Sequence, residues 1–196
     1  MEGFQDTRKA TTSKYDDVFG TGLFIDEHVQ IIKNDSSLLY QIPYTLAVIK
    51  EVLRIFPPAG RLRDGRPDLF SSDEEGQRYP TENCHICTLH LAMHHCPAVF
   101  PKPDEFIPER RLVDAEHPLH PVKVSWREFE WGQRICIGQT LELMELKVAL
   151  VMTARMVDIT PAYVVKWDTL HPKDGIEVVE GNRAHHSDGF TGTLDS

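Results

Sequence analysis

Phe129 to Gly138 reads FEWGQRICIG: one cysteine, Cys136, between Gly132 and Gly138, with Arg134 two residues before it and an aromatic residue at the head. Downstream, Leu141, Met144, Val148 and Val151 recur at helical spacing in a segment ending before Pro161, so the cysteine stands where a loop becomes a helix. A thiol there feels the positive end of the helix dipole and nearby backbone N–H groups, both of which favour the thiolate. It can serve as a nucleophile or a metal ligand; the same pattern also suits a buried, inert thiol in a glycine-bearing turn. The glycines leave room for something flat against the backbone, and Arg134 is a cation suited to a carboxylate. A porphyrin with its propionates meets all three features.

Composition narrows the surroundings. With 196 residues, 41% hydrophobic and 26% charged, the chain suffices for one ordinary globular domain or part of a larger one. Thirty acidic against 21 basic side chains give a formal charge of -9, and no basic run is long enough to track phosphates, which argues against nucleic acid as a partner. The longest apolar run, Val148 to Met152, is far short of the roughly 18 residues of a spanning helix, and the polar N-terminus has no secretory h-region, so neither a membrane anchor nor a signal is expected. The four cysteines, Cys84, Cys87, Cys96 and Cys136, are too few and too clustered for a disulfide framework and read as thiols.

Working back toward the N-terminus, the chain reads as helices, short strands and long loops, without repeats. Residues 1–20 are expected as a loose lead-in, residues 21–181 as the folded body and residues 182–196 as a frayed tail. Pro43 followed by YTLAVIKEVLRI predicts a helix to about Ile55, stopped by Pro57-Pro58. GRLRDG and SSDEEGQRYP suggest short strands joined by tight turns, CTLHL a third strand, and AMHHCPAVF a helical turn. A loop with five prolines follows, from Pro101 to Pro121; loops this long are often functional. DITPAYVV and DGIEVVEG suggest a last hairpin.

With these segments in order, the chain resembles the cytochrome P450 monooxygenases. FEWGQRICIG matches their haem-binding loop, Phe-x-x-Gly-x-Arg-x-Cys-x-Gly, at Phe129, Gly132, Arg134, Cys136 and Gly138. Five fixed positions, each at usage of roughly one in twenty, arise by chance in a chain this long on the order of once in ten thousand trials. KEVLR supplies the family's Glu-x-x-Arg pair as Glu51 and Arg54, and FIPER its Pro-Glu-Arg element as Pro108, Glu109 and Arg110. The resemblance runs from about Asp16 to about Val179 and has the flavour of filamentous-fungal members.

The resemblance implies a mainly α fold with small β-sheets, the C-terminal part of the family's domain. It implies haem with Cys136 as axial thiolate, a propionate contact from Arg63, and Phe129 packed beside the sulfur. It also implies an inward network of Glu51, Arg54 and Arg110 pinning the long loop, and a substrate cavity along Pro57 to Leu62. Implied partners are O2, a lipophilic small molecule such as a fungal secondary metabolite, and an NADPH-dependent reductase at the endoplasmic-reticulum membrane. Read without that context, Glu51 and Arg54 three apart on a helix also suit a solvated surface pair. Three departures stand out: Glu128 where proline or another small residue is usual, Arg111 in place of an aromatic residue after Pro-Glu-Arg, and Glu142 in place of a small apolar residue. The central oxygen-handling helix, the helix with the Trp-x-x-x-Arg propionate contact and the N-terminal anchor have no counterpart in these residues, so no catalytic residue is assigned within the chain. The expectation is therefore a monooxygenase portion, or a fragment of the family that cannot hold haem. A third reading is a zinc module on Cys84 and Cys87 with His90, His94, His95 and Cys96 nearby; its weakness is that CTLHL, read as a strand, splits these ligands between faces.

Overall fold

The computed structural model describes residues 2–21, 24–58 and 60–154. The expected last hairpin and the frayed tail lie outside them. Five helices and two small sheets are described: α1 Glu2–Phe19, α2 Ile25–Asn34, α3 Pro43–Ile55, β1 Arg61–Asp64, β2 Phe70–Ser72, β3 Arg78–Pro80, β4 His85–Thr88, α4 His90–His94 and α5 Gln139–Thr153. Short 3-10 turns lie at Ser36–Tyr40, Pro108–Arg111 and Gly132–Arg134.

The expected loose lead-in is corrected: residues 2–19 are helical. Tyr15 and Phe19, one turn apart, are buried with Leu39, Ile42 and Val151, so α1 closes one side of the core. Met144 and Val148 of α5 and Ile31 and Ile32 of α2 pack on the same cluster. Lys147 reaches through it to donate from Nζ to the Leu39 carbonyl at 2.9 Å, tying α5 to the Ser36–Tyr40 turn. Burial lowers the pKa of this ammonium from its usual value.

α3 is the central element. At 100° per residue Thr45 and Ile49 share the face of the core residue Ile42, while Ala47, Glu51 and Arg54 share the opposite one; all five are buried. A helix enclosed on two sides is a wall between layers, and the layer beyond Glu51 and Arg54 is the proline-rich segment. Pro43 opens α3 at its first turn, where a missing N–H costs nothing, and the helix ends before Pro57.

The strands form two antiparallel pairs. β1 pairs with β4 and β2 with β3, Leu62 standing opposite Cys87 and Ser71 opposite Tyr79. CTLHL is corrected as a strand: β4 ends at Thr88, and His90 already begins α4, its side chain buried. Gly65 makes the crossing possible, since a Cβ there would fall 1.6 Å from the Thr81 carbonyl oxygen, which no side chain survives.

Candidate functional site

Cys136 is exposed on a loop folded back on itself. Its N–H donates to the Phe129 carbonyl at 2.8 Å, closing the loop, and its carbonyl accepts from Gln139 N–H at the start of α5. Two left-handed residues make the bend, Glu130 at φ 65° and Gly132 at φ 81°. Glycine takes this conformation freely; at Glu130 it costs on the order of 1 kcal/mol or more and needs outside support. That support comes from charge: Glu130 Oε1 lies 3.3 Å from Arg61 Nε on β1 and 3.4 Å from His90 Nε2 on α4.

A shallow pocket of about 190 Å3 opens beside the sulfur, lined by Leu53, Pro58, Glu128, Phe129, Cys136, Gly138 and Glu142. A Cβ at position 138 would stand 3.7 Å from Cys136 Sγ, so glycine keeps that flank of the sulfur clear. Ile135, Ile137 and Leu141 around it are exposed, Ile137 completely. A soft donor on a glycine-cleared face that is apolar but for the Glu128 and Glu142 carboxylates is the donor type that a thiolate-ligated, flat cofactor requires. The residues present fit haem on that count.

Of the residues singled out in the sequence, Phe129, Cys136 and Gly138 converge on this pocket. Arg134 is exposed on the rim of the loop, where its carbonyl accepts from Arg61 at 3.4 Å. Arg63 is half-buried on β1 and donates to the adjacent Leu62 carbonyl.

Glu51, Arg54 and Arg110 meet behind the loop, each fully buried. Glu51 Oε1 accepts from Arg54 at 2.9 Å, from Arg110 Nε at 2.9 Å and from the Ile107 N–H at 3.2 Å. Both arginines also donate to carbonyls, Arg54 to His94 and Glu105 and Arg110 to Pro101 and Lys102, while Arg54 Nε has no hydrogen-bond partner. Four backbone oxygens of the segment from α4 into the proline-rich loop are thus satisfied by two side chains anchored on one carboxylate. Buried charge this well paired is costly to break from one side.

Three groups were missed as partners. His94, fully buried, receives the Arg127 N–H on Nε2 at 3.3 Å, so the proton of its neutral ring is assigned to Nδ1, which lies 3.2 Å from the Arg54 carbonyl. The same Nδ1 stands 2.8 Å from Glu128 Oε1, yet neither Glu128 oxygen has an aligned hydrogen bond; the contact is one of charge and dipole. Trp126 donates from its indole to the Lys50 carbonyl on α3 at 3.0 Å. In the sequence this region was marked by the departures at 111 and 128 and by His94, there read as a candidate zinc ligand.

The zinc reading finds no support: among the described residues no three His, Cys, Asp or Glu side chains gather as a metal site, and His90 Nε2 is turned to Glu130.

The family model described as Cytochrome P450 matches residues 25–176. Among curated proteins the chain is 43% identical over 148 residues to cytochrome P450 monooxygenase polC of Polytolypa hystricis, covering 76% of this chain and 26% of that protein. It is 37% identical over 126 residues to cytochrome P450 monooxygenase ptmG of Penicillium ochrochloron, covering 64% and 23%. To cytochrome P450 monooxygenase PC-23 of Penicillium crustosum it is 38% identical over 130 residues, covering 66% and 63%. The chain thus spans about a quarter of the length of the first two relatives. Among solved structures, retinoic acid bound cyanobacterial CYP120A1 superposes with a TM-score of 0.57 over 76% of this chain and 31% of its own, at 22% identity, a likeness of fold.

Proposed function

The chain belongs to the cytochrome P450 family, and from that premise we propose that it carries the thiolate side of a haem monooxygenase, with Cys136 as the residue whose thiolate would hold the haem iron. The observation that supports this most is the exposed Cys136 sulfur on a glycine-cleared, apolar face, its loop closed by the Phe129 carbonyl. When bound, haem with a thiolate ligand activates O2 so that one oxygen atom enters a C–H bond of the substrate. What this chain's own residues contribute is position. The loop bend at Glu130 and Gly132 presents the sulfur, and Phe129 shields its flank. Arg134 on the rim and Arg63 on β1 offer cations to the propionates, and the Glu51–Arg54–Arg110 network holds the approach segment.

The substrate is a lipophilic small molecule of fungal secondary metabolism. The support is chemical: Pro58 shares the pocket with Cys136, and Phe56 and Leu62, near Pro58 in the chain, are exposed apolar groups. O2 is the co-substrate and a reductase the electron donor. The endoplasmic-reticulum membrane is the proposed location of the whole enzyme; among the described residues no helix is long and apolar enough to cross a membrane.

A second reading, that residues 1–196 alone do not retain haem, is favoured by one observation. The pocket beside Cys136 has about 190 Å3, below the several hundred Å3 in which cofactor-sized ligands are usually enclosed. The test joins this chain to upstream helices of a full-length relative and reads the ferrous carbon-monoxide complex. A strongly red-shifted Soret band that disappears in Cys136→Ser is expected; a band unaffected by that change overturns the assignment of the ligand.

A further inference from the structure

Arg61 is a cation beside the cysteine loop to which the proposed function gives no part. The residue it faces, Glu130, is held at φ 65°, in the left-handed region that residues with a Cβ seldom adopt, with its side chain 10% exposed. Arg61 Nε stands 3.3 Å from Glu130 Oε1, and His90 Nε2 stands 3.4 Å from the same oxygen. Arg61 also reaches the other arm of the loop, donating from a terminal nitrogen to the Arg134 carbonyl at 3.4 Å. One guanidinium therefore touches both arms of the turn that begins at Glu130 and ends at Arg134. The hydrogen bond that closes this turn, from the Cys136 N–H to the Phe129 carbonyl at 2.8 Å, lies just outside those two points.

Both holders are themselves fixed. β1 pairs with β4, where Arg61 stands opposite Thr88, and His90 opens α4, whose His94 carbonyl accepts from Arg54 of the buried network at 2.9 Å. The magnitudes favour a local role. With the Arg61 side chain 36% exposed, its ion pair adds little to the stability of the whole chain. The cost of one left-handed residue is of similar, small size, and such a residue persists only while its surroundings over-determine it. Gly132, at φ 81°, needs no such help.

We infer that Arg61 is a positioning residue for Cys136: together with His90 it clasps the Glu130 carboxylate and so holds the strained bend on which the closure between Phe129 and Cys136 rests. Without the clasp, the backbone at position 130 relaxes toward negative φ, the turn opens, and the carbonyl that receives the Cys136 N–H moves away. The clasp is needed because position 130 carries a Cβ; glycine there takes the bend unaided. Arg61, His90 and Glu130 act through the loop and touch no reacting atom.

What this positioning serves rests on the proposed function, but the test needs no haem. Amide hydrogen exchange of residues 1–196 is read at Cys136, with Val151 in the buried core as reference. Arg61→Gln and Glu130→Ala are each expected to speed exchange at Cys136 at least about fivefold without speeding it at Val151, because the strain remains and its holder is gone. Glu130→Gly is expected to stay within about twofold of the parent, and Arg61→Gln added to it to change little further, because the strain itself is gone. The clasp is overturned if the Cys136 amide is unprotected in the parent, or if Arg61→Gln or Glu130→Ala leaves its exchange at the parent rate. It is equally overturned if Glu130→Gly opens the loop as far as Glu130→Ala, or if Cys136 and Val151 speed up together. Should Arg61→Gln be insoluble, the two Glu130 variants decide by the same criteria. The outcome is independent of the carbon-monoxide spectrum of Cys136→Ser, so the two proposals fail separately.

Discussion

At the scale of the residue, the strongest constraint is a single oxygen. Glu51 Oε1 accepts from two arginines and a backbone N–H in full burial, so Glu51→Ala leaves Arg54 and Arg110 without a counter-charge. A loss of about 3–5 kcal/mol is expected in urea unfolding of the chain; a loss below about 1 kcal/mol would mean that solvent reaches these arginines. Its position was legible, since a Glu and an Arg three apart on a helix must share a face. Its depth came only from the family resemblance, which implies an inward network: burial depends on the carbonyls of residues 94, 101, 102 and 105, which spacing on one helix does not reveal. The surface behaves differently. Asp35 caps the Ser36–Tyr40 turn by accepting from the Ser37 N–H at 2.9 Å, and hydrogen bonds from Ser37 lower its pKa below the ordinary 3.8. With a depressed folded pKa, the cap's stabilisation is present above that ordinary value and is lost as pH falls through the folded value. Asp35→Asn should therefore flatten the acid side of the thermal midpoint against pH below about 4, and an unchanged slope would remove the cap from the account.

At the scale of the element, the sequence spoke clearly where a pattern was local. α3 runs from Pro43 to Ile55, bounded by prolines on both sides. The start of α5 follows from the apolar spacing after Gly138. α1 was silent for the opposite reason: in its polar sequence the buried aromatic residues among 11–19 are Tyr15 and Phe19, whose partners Leu39, Ile42 and Val151 come from distant segments. Anchors so sparse in a polar helix leave no visible stripe. Their energetic share is nonetheless large. Phe19→Ala should cost about 3–5 kcal/mol, read as a lower urea midpoint at unchanged slope. A cost under about 1 kcal/mol would detach α1 from the core. The strand pairing was hidden likewise. Each strand could be marked by its turns, but β1 closing on β4 around the β2–β3 hairpin depends on Gly65 passing against Thr81.

At the scale of the whole molecule, the chain supports one side of a site and displays it. α3 stands between the helical core and the proline-rich segment, the arginines lock that segment to α3, and Trp126, donating to the Lys50 carbonyl, ties the approach to the cysteine loop to the same helix. The surface at the end of this chain of contacts is apolar and open, and the neighbouring pocket holds about 190 Å3. Restraint behind the sulfur and openness in front of it lead to different expectations for two measurements. Ferric haem titrated into residues 1–196 should bind weakly and reversibly, because one face supplies only part of the apolar enclosure that retains a cofactor. The same chain joined to upstream helices of a relative should retain haem through gel filtration and show the thiolate-type carbon-monoxide band, since the loop is already held in place. If residues 1–196 alone retain haem through gel filtration with that band, the described side suffices and the enclosure argument is wrong. If the joined chain retains haem without the band, the loop is not preset, and the restraint traced from α3 to Cys136 does not reach the sulfur.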